Sequence, residues 1–153
     1  MMHSNVGTLL VVSSFLTWSQ PALPQVESPP ASIIHVEITG LRNDRGKVLC
    51  ALYSSPEGFP KDSEKATARV SSAIAQGHAV CEFPGVTPGT YAVSVFHDEN
   101  SNGKLDTNFM GIPREGVGAS NNAKGHFGPP KFHDASFHFS GSRLDLKITI
   151  TYL

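Results

Sequence analysis

Beyond residue 32, apolar side chains fall on every second position through most of the chain. Ile34, Val36 and Ile38 alternate with His35, Glu37 and Thr39. The same rhythm runs through Lys47–Tyr53 (KVLCALY), Arg69–Ile74, His78–Phe83 and Thr90–His97. A period of two puts one set of side chains on one face of an extended chain, so each run reads as a half-buried strand. Ala135, Phe137 and Phe139 supply a sixth strand, and Leu144, Leu146, Ile148, Ile150 and Tyr152 a seventh. Turn-forming residues separate them: 41–46 (LRNDRG), Pro88-Gly89 and Ser140-Gly141-Ser142. Ala75-Gln76-Gly77 is expected to close a hairpin between the third and fourth strands, and residues 54–66 form a loop with room for one helical turn. No long helical period and no internal repeat is present. The expected fold is all-β: a seven-stranded antiparallel Greek-key sandwich of immunoglobulin-like class. Its core is predicted to hold Ile34, Val36, Ile38, Val48, Leu52, Phe83, Tyr91, Val93, Val95, Phe137, Leu146, Ile148 and Ile150.

The first thirty residues break this pattern. Gly7 to Trp18 is a continuous apolar stretch, too short for a membrane span and suited to the core of a signal peptide. The expected division is residues 1–30 as signal peptide and linker and 31–153 as the sandwich domain, which implies export to a periplasmic or extracellular space. A tail without structure is the plain alternative. With 153 residues there is enough chain for one domain with a core. A net charge of -1 with no basic run lacks the electrostatic footprint of a nucleic-acid binder. Charged residues make up only 16%, against 14 glycines and 11 prolines, which suits many turns between short strands.

The strongest chemical signal follows the fifth strand. In Asp98-Glu99-Asn100-Ser101-Asn102-Gly103-Lys104-Leu105-Asp106, oxygen-bearing side chains recur at alternate positions before a glycine, and an aspartate closes the run. That is the D-x-[DN]-x-[DN]-G spacing of a calcium loop, whose short ligands wrap a hard cation around a tight turn. The expected ligands are Asp98, Asn100, Asn102 and Asp106 through side-chain oxygens, with Lys104 giving its backbone carbonyl. Phe109 stands where a bidentate glutamate would close the shell, leaving Asn108, Glu115 and Asp134 as candidates to complete it. With two carboxylates the affinity for calcium is expected to be weak. A strand rather than a helix feeds the loop, so this is not an EF-hand. Asn and Gly also favour turns that bind nothing, and that remains the alternative.

Residues 107–133 show neither strand nor helix periodicity over 27 positions. Long segments of this kind are uncommon in compact domains unless ordered for a purpose. Phe109, Met110, Ile112, Phe127 and Phe132 argue for an ordered excursion packed over one end of the sandwich and pinned by the metal loop. Exposure of Phe109, Phe127 and Phe132 as a cluster would favour ligand binding, and burial of all three a purely structural role. Seven histidines also raise the question of catalysis. His97-Asp98 and His133-Asp134, with Glu115, are the candidates for a metal-dependent or acid–base site. Yet no H-E-x-x-H, G-x-S-x-G or phosphate-loop motif is present, so a non-catalytic module is expected.

The string HDENSNGKLDTNFMGIPREGVGASNN, followed by GPPKFHDASF, resembles a family of exported bacterial proteins known as domain of unknown function 2141. The similarity runs over about residues 33–153, and Ala119 stands where this stretch of the family is expected to carry an aromatic. It implies a small secreted or periplasmic sandwich, similar in class to prealbumin-like and carboxypeptidase-regulatory modules. GVTPGTYAVSVF looks like the turn and strand of such modules. The family brings no reaction with it. Cys50 and Cys81, the only cysteines, both fall on the inward phase of their strands. In an exported chain they are expected to pair, and two buried thiols are the alternative. The functional expectation is an exported module that binds a surface polysaccharide, peptide or protein through the metal loop and the 107–133 excursion.

Overall fold

The computed structural model describes residues 32–153, so the signal-peptide and linker reading of the first thirty residues lies outside the described residues. Two sheets pack face to face. Strands β1 (Ile33–Thr39), β4 (Ala79–Pro84) and β8 (Arg143–Thr149) form one, in the order β4-β1-β8. The other holds β2 (Lys47–Tyr53), β3 (Ala68–Ser72), β5 (Gly89–Asp98) and β6 (Val117–Ala119), in the order β3-β2-β5-β6, with β7 (Phe137–Phe139) also on β5. A single helical turn, α1 (Phe132–Ala135), precedes β7. Among the described residues, no helix is long and apolar enough to cross a membrane.

The alternation read from the sequence decides the core. Ile34, Val36, Ile38, Val48, Leu52, Phe83, Val93 and Ile148 are wholly or almost wholly buried, and Tyr91, Val95 and Ile150 nearly so. Phe137 and Leu146 pack against this core but remain half-buried. Cys50 and Cys81 form a disulfide with Cα atoms 6.6 Å apart, joining β2 of one sheet to β4 of the other. The cross-link therefore ties the two layers through the middle of the core.

Four expectations about the strands need revision. The sandwich has eight strands, because Val117–Ala119 forms β6 within the excursion. The pair β1/β8 is parallel, with Ile34 opposite Leu144 and Ile38 opposite Ile148. The segments around Ala75-Gln76-Gly77 do not make a hairpin: beyond the single bridge Ala75–His78, β3 pairs with β2 and β4 with β1. The turn chemistry there is real, yet the chain uses it to step from one sheet to the other. Ala135 belongs to α1, so the strand begins at Phe137.

The excursion follows the edge of the five-stranded sheet instead of capping one end of the sandwich. One edge of β5 pairs with β2. The opposite edge is covered in two pieces, β6 on Ser94–Phe96 and β7 on Gly89–Tyr91. Between the pieces the Val93 N–H has no strand to meet. The buried Ser120 hydroxyl takes that place, accepting from Val93 N at 2.9 Å and donating to the Ala135 carbonyl at 2.6 Å. On the other edge of β6, Val117 exchanges backbone hydrogen bonds of 2.8 and 2.9 Å with Thr151, linking the segment that follows β8 to this sheet.

Candidate metal loop and the adjoining arginine cleft

The register of β2 on β5 builds the site. Lys47 lies opposite Asp98, so the 41–46 turn that leads into β2 sits beside the 99–106 loop that leaves β5. Contact is close at Gly46, which has φ +69°, and a Cβ there would stand 1.9 Å from the Asp98 carbonyl oxygen. Only glycine meets both demands at once.

Within the loop, Asp98 is completely buried. Its Oδ1 accepts from Asn102 N at 3.0 Å and its Oδ2 from Gly103 N at 2.9 Å, which curls the chain around the carboxylate. The Asn100 amide oxygen accepts from Asn102 N and the Asn102 amide oxygen from Lys104 N. With their oxygens so occupied, both amides turn N–H groups toward Asp106, at 2.7 Å from Asn100 and 3.1 Å from Asn102. The Lys104 side chain is exposed. The five expected metal positions thus share one small loop, with Asn100, Asn102 and Asp106 in mutual contact. Each Asp98 oxygen keeps a second lone pair, and Asp106 would be freed if the two amides rotated their oxygens inward, a donor set that would then fit a hard cation. No group of three or more His, Cys, Asp or Glu side chains placed to hold a metal occurs among the described residues, so a cation here would depend on amide and backbone oxygens.

Glu115 is the residue that closes this region. Its carboxylate is 5% exposed, accepting from Glu99 N at 2.9 Å with one oxygen and from Asp106 N at 3.0 Å with the other. It therefore staples the two ends of the loop together from a position further along the chain. Of the other two candidates for the shell, Asn108 uses its side-chain oxygen to cap Met110 N and Ile112 N. Asp134 pairs with His133 at 2.8 Å and lines a separate depression with Lys124 and Lys131.

His97 and His133 do not share a site. His97 is fully buried at the end of the core face of β5. Its Nε2 lies 2.7 Å from the Arg45 carbonyl, which can only accept, so that nitrogen carries the proton. Its Nδ1 lies 2.7 Å from the Tyr152 hydroxyl, and Arg42 N in turn donates to the same hydroxyl at 3.1 Å. Burial raises the Tyr152 pKa, against the opposing pull of the Arg42 backbone hydrogen bond. His133 is exposed on α1.

Beside the loop lies a cleft of about 480 Å³ whose walls include Arg42, Arg45, Arg114, Glu99, Asp106 and Glu115. Arg42 Nε donates to Glu99 at 2.6 Å and Arg45 Nη2 to its other oxygen at 3.0 Å. The Arg42 hydrogen bond holds the Glu99 carboxyl below its ordinary range, against the opposing pull of partial burial. The Arg42 guanidinium also lies over the Tyr152 ring, 4.4 Å from its centroid. Arg114 is exposed and makes no ion pair among the described residues. These arginines carried no sequence signal, because neither turn residues nor a lone Arg before Glu115 announces a cleft. The β2/β5 register and the backbone bond of Arg114 to Asp106 bring them together.

The excursion leaves the cleft as a tight turn. Thr107, on the cleft wall, pairs with Pro113, and Arg114 N bonds the Asp106 carbonyl at 2.9 Å. Phe109 and Met110 stand at its tip, 98% and 68% exposed. Phe127 is also fully exposed, but Phe132 packs edge-on against Phe59 with ring centres 5.8 Å apart. The three phenylalanines therefore split, two in solvent and one in a small packing cluster. Ala119, where an aromatic was expected, is buried against Ala92 and Ala135, so it holds β6 close to β5 and offers no stacking surface.

A family model described as "Uncharacterized protein conserved in bacteria (DUF2141)" matches residues 36–147, and the chain belongs to that family. No curated protein and no solved structure matches it.

Proposed function

We propose that this member of the DUF2141 family is an exported, non-catalytic sandwich module that binds a surface ligand beside a weak calcium loop. The observation that carries the reading is Phe109, 98% exposed at the tip of a turn rooted in the cleft wall. An aromatic held in water by a hydrogen-bonded turn costs stability and gains nothing for the core, whereas it supplies contact area to a partner. Polysaccharide, peptide or protein partners all suit such a surface. The disulfide supports export, since these bonds persist in oxidising compartments. Asp98, Asn100, Asn102, Asp106 and the Lys104 carbonyl would hold the cation, with Glu115 fixing the loop that presents them.

One observation favours a purely structural module instead. Every buried side-chain nitrogen and oxygen among the described residues already has a partner, Asp98 and Glu115 included, so the loop is satisfied without a ligand. Calcium calorimetry and melting of the full chain separate the two readings. Binding near 10⁻⁴–10⁻³ M, roughly the range of extracellular modules, should come with a raised Tm and protection of residues 98–122 from proteolysis. Magnesium should do little, because it demands a tight octahedral shell. Asp106→Asn should remove these effects; Asp98 is a poorer choice because the loop backbone folds around it. No heat at several millimolar calcium, with an unchanged melting curve, would leave the loop a self-contained turn.

A further inference from the structure

We infer that the arginine cleft beside the loop receives the carboxylate of an acidic sugar, with Arg114 as the principal contact; this rests on the ligand-binding reading above and names its ligand class. The argument begins with the balance of donors and acceptors in the cleft. Its three carboxylates are committed inside the protein. Both Glu115 oxygens accept backbone N–H groups, both Glu99 oxygens accept arginine N–H groups, and Asp106 accepts from the Asn100 and Asn102 amides. The guanidinium groups are not used up in the same way. Each carries five N–H donors, yet Arg42 spends only Nε and Arg45 only Nη2 on Glu99. Arg114 spends none on a carboxylate among the described residues.

Position adds to the donor surplus. Glu99 and the Tyr152 ring hold Arg42 in place, so part of its ordering cost is met before any ligand arrives. A guanidinium edge matches a planar carboxylate with two parallel N–H···O bonds. On the rim of the cleft, the turn that begins at Thr107 lifts Phe109 and Met110 into solvent. A sugar ring seated on that apolar tip can extend a carboxylate toward Arg114, which follows the turn directly and is bonded through its backbone to Asp106. A cation in the adjacent loop would strengthen the attraction without being required for it.

The test uses the full chain and a galacturonic acid dimer, titrated by calorimetry with calcium and again with chelator. The acidic dimer should bind at least about tenfold more tightly than the neutral galactose dimer, since one charge-assisted pair accounts for a difference of that order. Arg114→Gln should lose about the same factor at an unchanged Tm, and Arg114→Lys should restore only part, because a lysine lacks the planar fork. Equal binding of the acidic and neutral dimers, no binding of either, or an unaffected Arg114→Gln variant would overturn the assignment. Tighter binding of a short polyglutamate peptide than of the sugar would overturn the ligand class. The calcium reading fails separately: Arg114-dependent sugar binding in chelator with no calcium effect on Tm keeps this site and removes the metal. A calcium-raised Tm without sugar binding does the reverse.

Discussion

The middle of the sandwich and the flank formed by residues 97–122 each contain wholly buried groups, but these are held by different forces. In the middle, Ile34, Val36, Val48, Leu52, Val93 and Ile148 face one another with no polar atom to satisfy, and a disulfide joins the layers. Along the flank the buried groups are His97, Asp98, Glu115 and Ser120. Each of them ties a loop to the frame by receiving or giving specific hydrogen bonds. Apolar contacts are non-directional and tolerate adjustment. A buried carboxylate or hydroxyl tolerates none, because a lost partner leaves a desolvated group behind. The same degree of burial therefore gives a robust centre and a flank whose geometry is exact but brittle.

The largest test of this contrast is removal of the disulfide. Cys50→Ala with Cys81→Ala opens a loop spanning 31 residues and should cost about 3–4 kcal/mol in the chain-entropy account. Denaturant unfolding should show the loss as a drop in global stability shared by both regions. Loss of protection confined to 98–122 would break the assignment of the disulfide to the centre.

Ser120→Ala should come next, at about 1–3 kcal/mol, by leaving Val93 N and the Ala135 carbonyl without their buried partner. Hydrogen exchange should quicken first at Val93 and across β6, α1 and β7 while β1 and β4 keep their protection. Uniform loss across both sheets would mean that the flank and the centre unfold as one unit.

The smallest effect is acid sensitivity, measured in calcium-free buffer. Glu99 carries a carboxyl lowered from 4.5, chiefly by its Arg42 hydrogen bond. A depressed carboxylate contributes stability that is complete above its unfolded value and is lost as the pH falls through the folded one. Stability should therefore begin to fall below about pH 4.5, and Glu99→Gln should flatten that part of the curve. Asp145, lowered by its hydrogen bond to Arg143 on β8, will leave a residual slope in the variant. An unchanged slope in Glu99→Gln would take the Arg42–Glu99 pair out of the account.

The centre was legible because alternation is a local property. Val36 and Ile38 declare their face within one strand, and so do Val93 and Val95. The inward phase of Cys50 and Cys81 pointed to their meeting for the same reason. Strand partners were less legible. The Ala75-Gln76-Gly77 turn was correctly placed, but whether it closes a hairpin or crosses between sheets depends on what each strand later packs against. β6 was missed because a three-residue strand with Gly118 at its middle and Gly116 just before it shows no period; the glycines are needed since a Cβ at Gly116 would stand 2.4 Å from Ile150 and one at Gly118 2.8 Å from Ile148.

At the site, the division follows the reach of the interactions. The sequence alone determined that Asp98, Asn100, Asn102, Gly103 and Asp106 would make one oxygen-rich loop, because their contacts span at most a few residues. It also marked Glu115 as a group that could reach that loop. Tertiary structure alone decided that the 41–46 turn lies against it, that Glu115 staples rather than merely approaches it, and that Arg42 and Arg45 of that turn share one cleft with the distant Arg114. Those facts rest on the register of β2 against β5 and on the path of a loop with no period. Both are set by the summed packing of distant strands, which no single segment of the chain encodes.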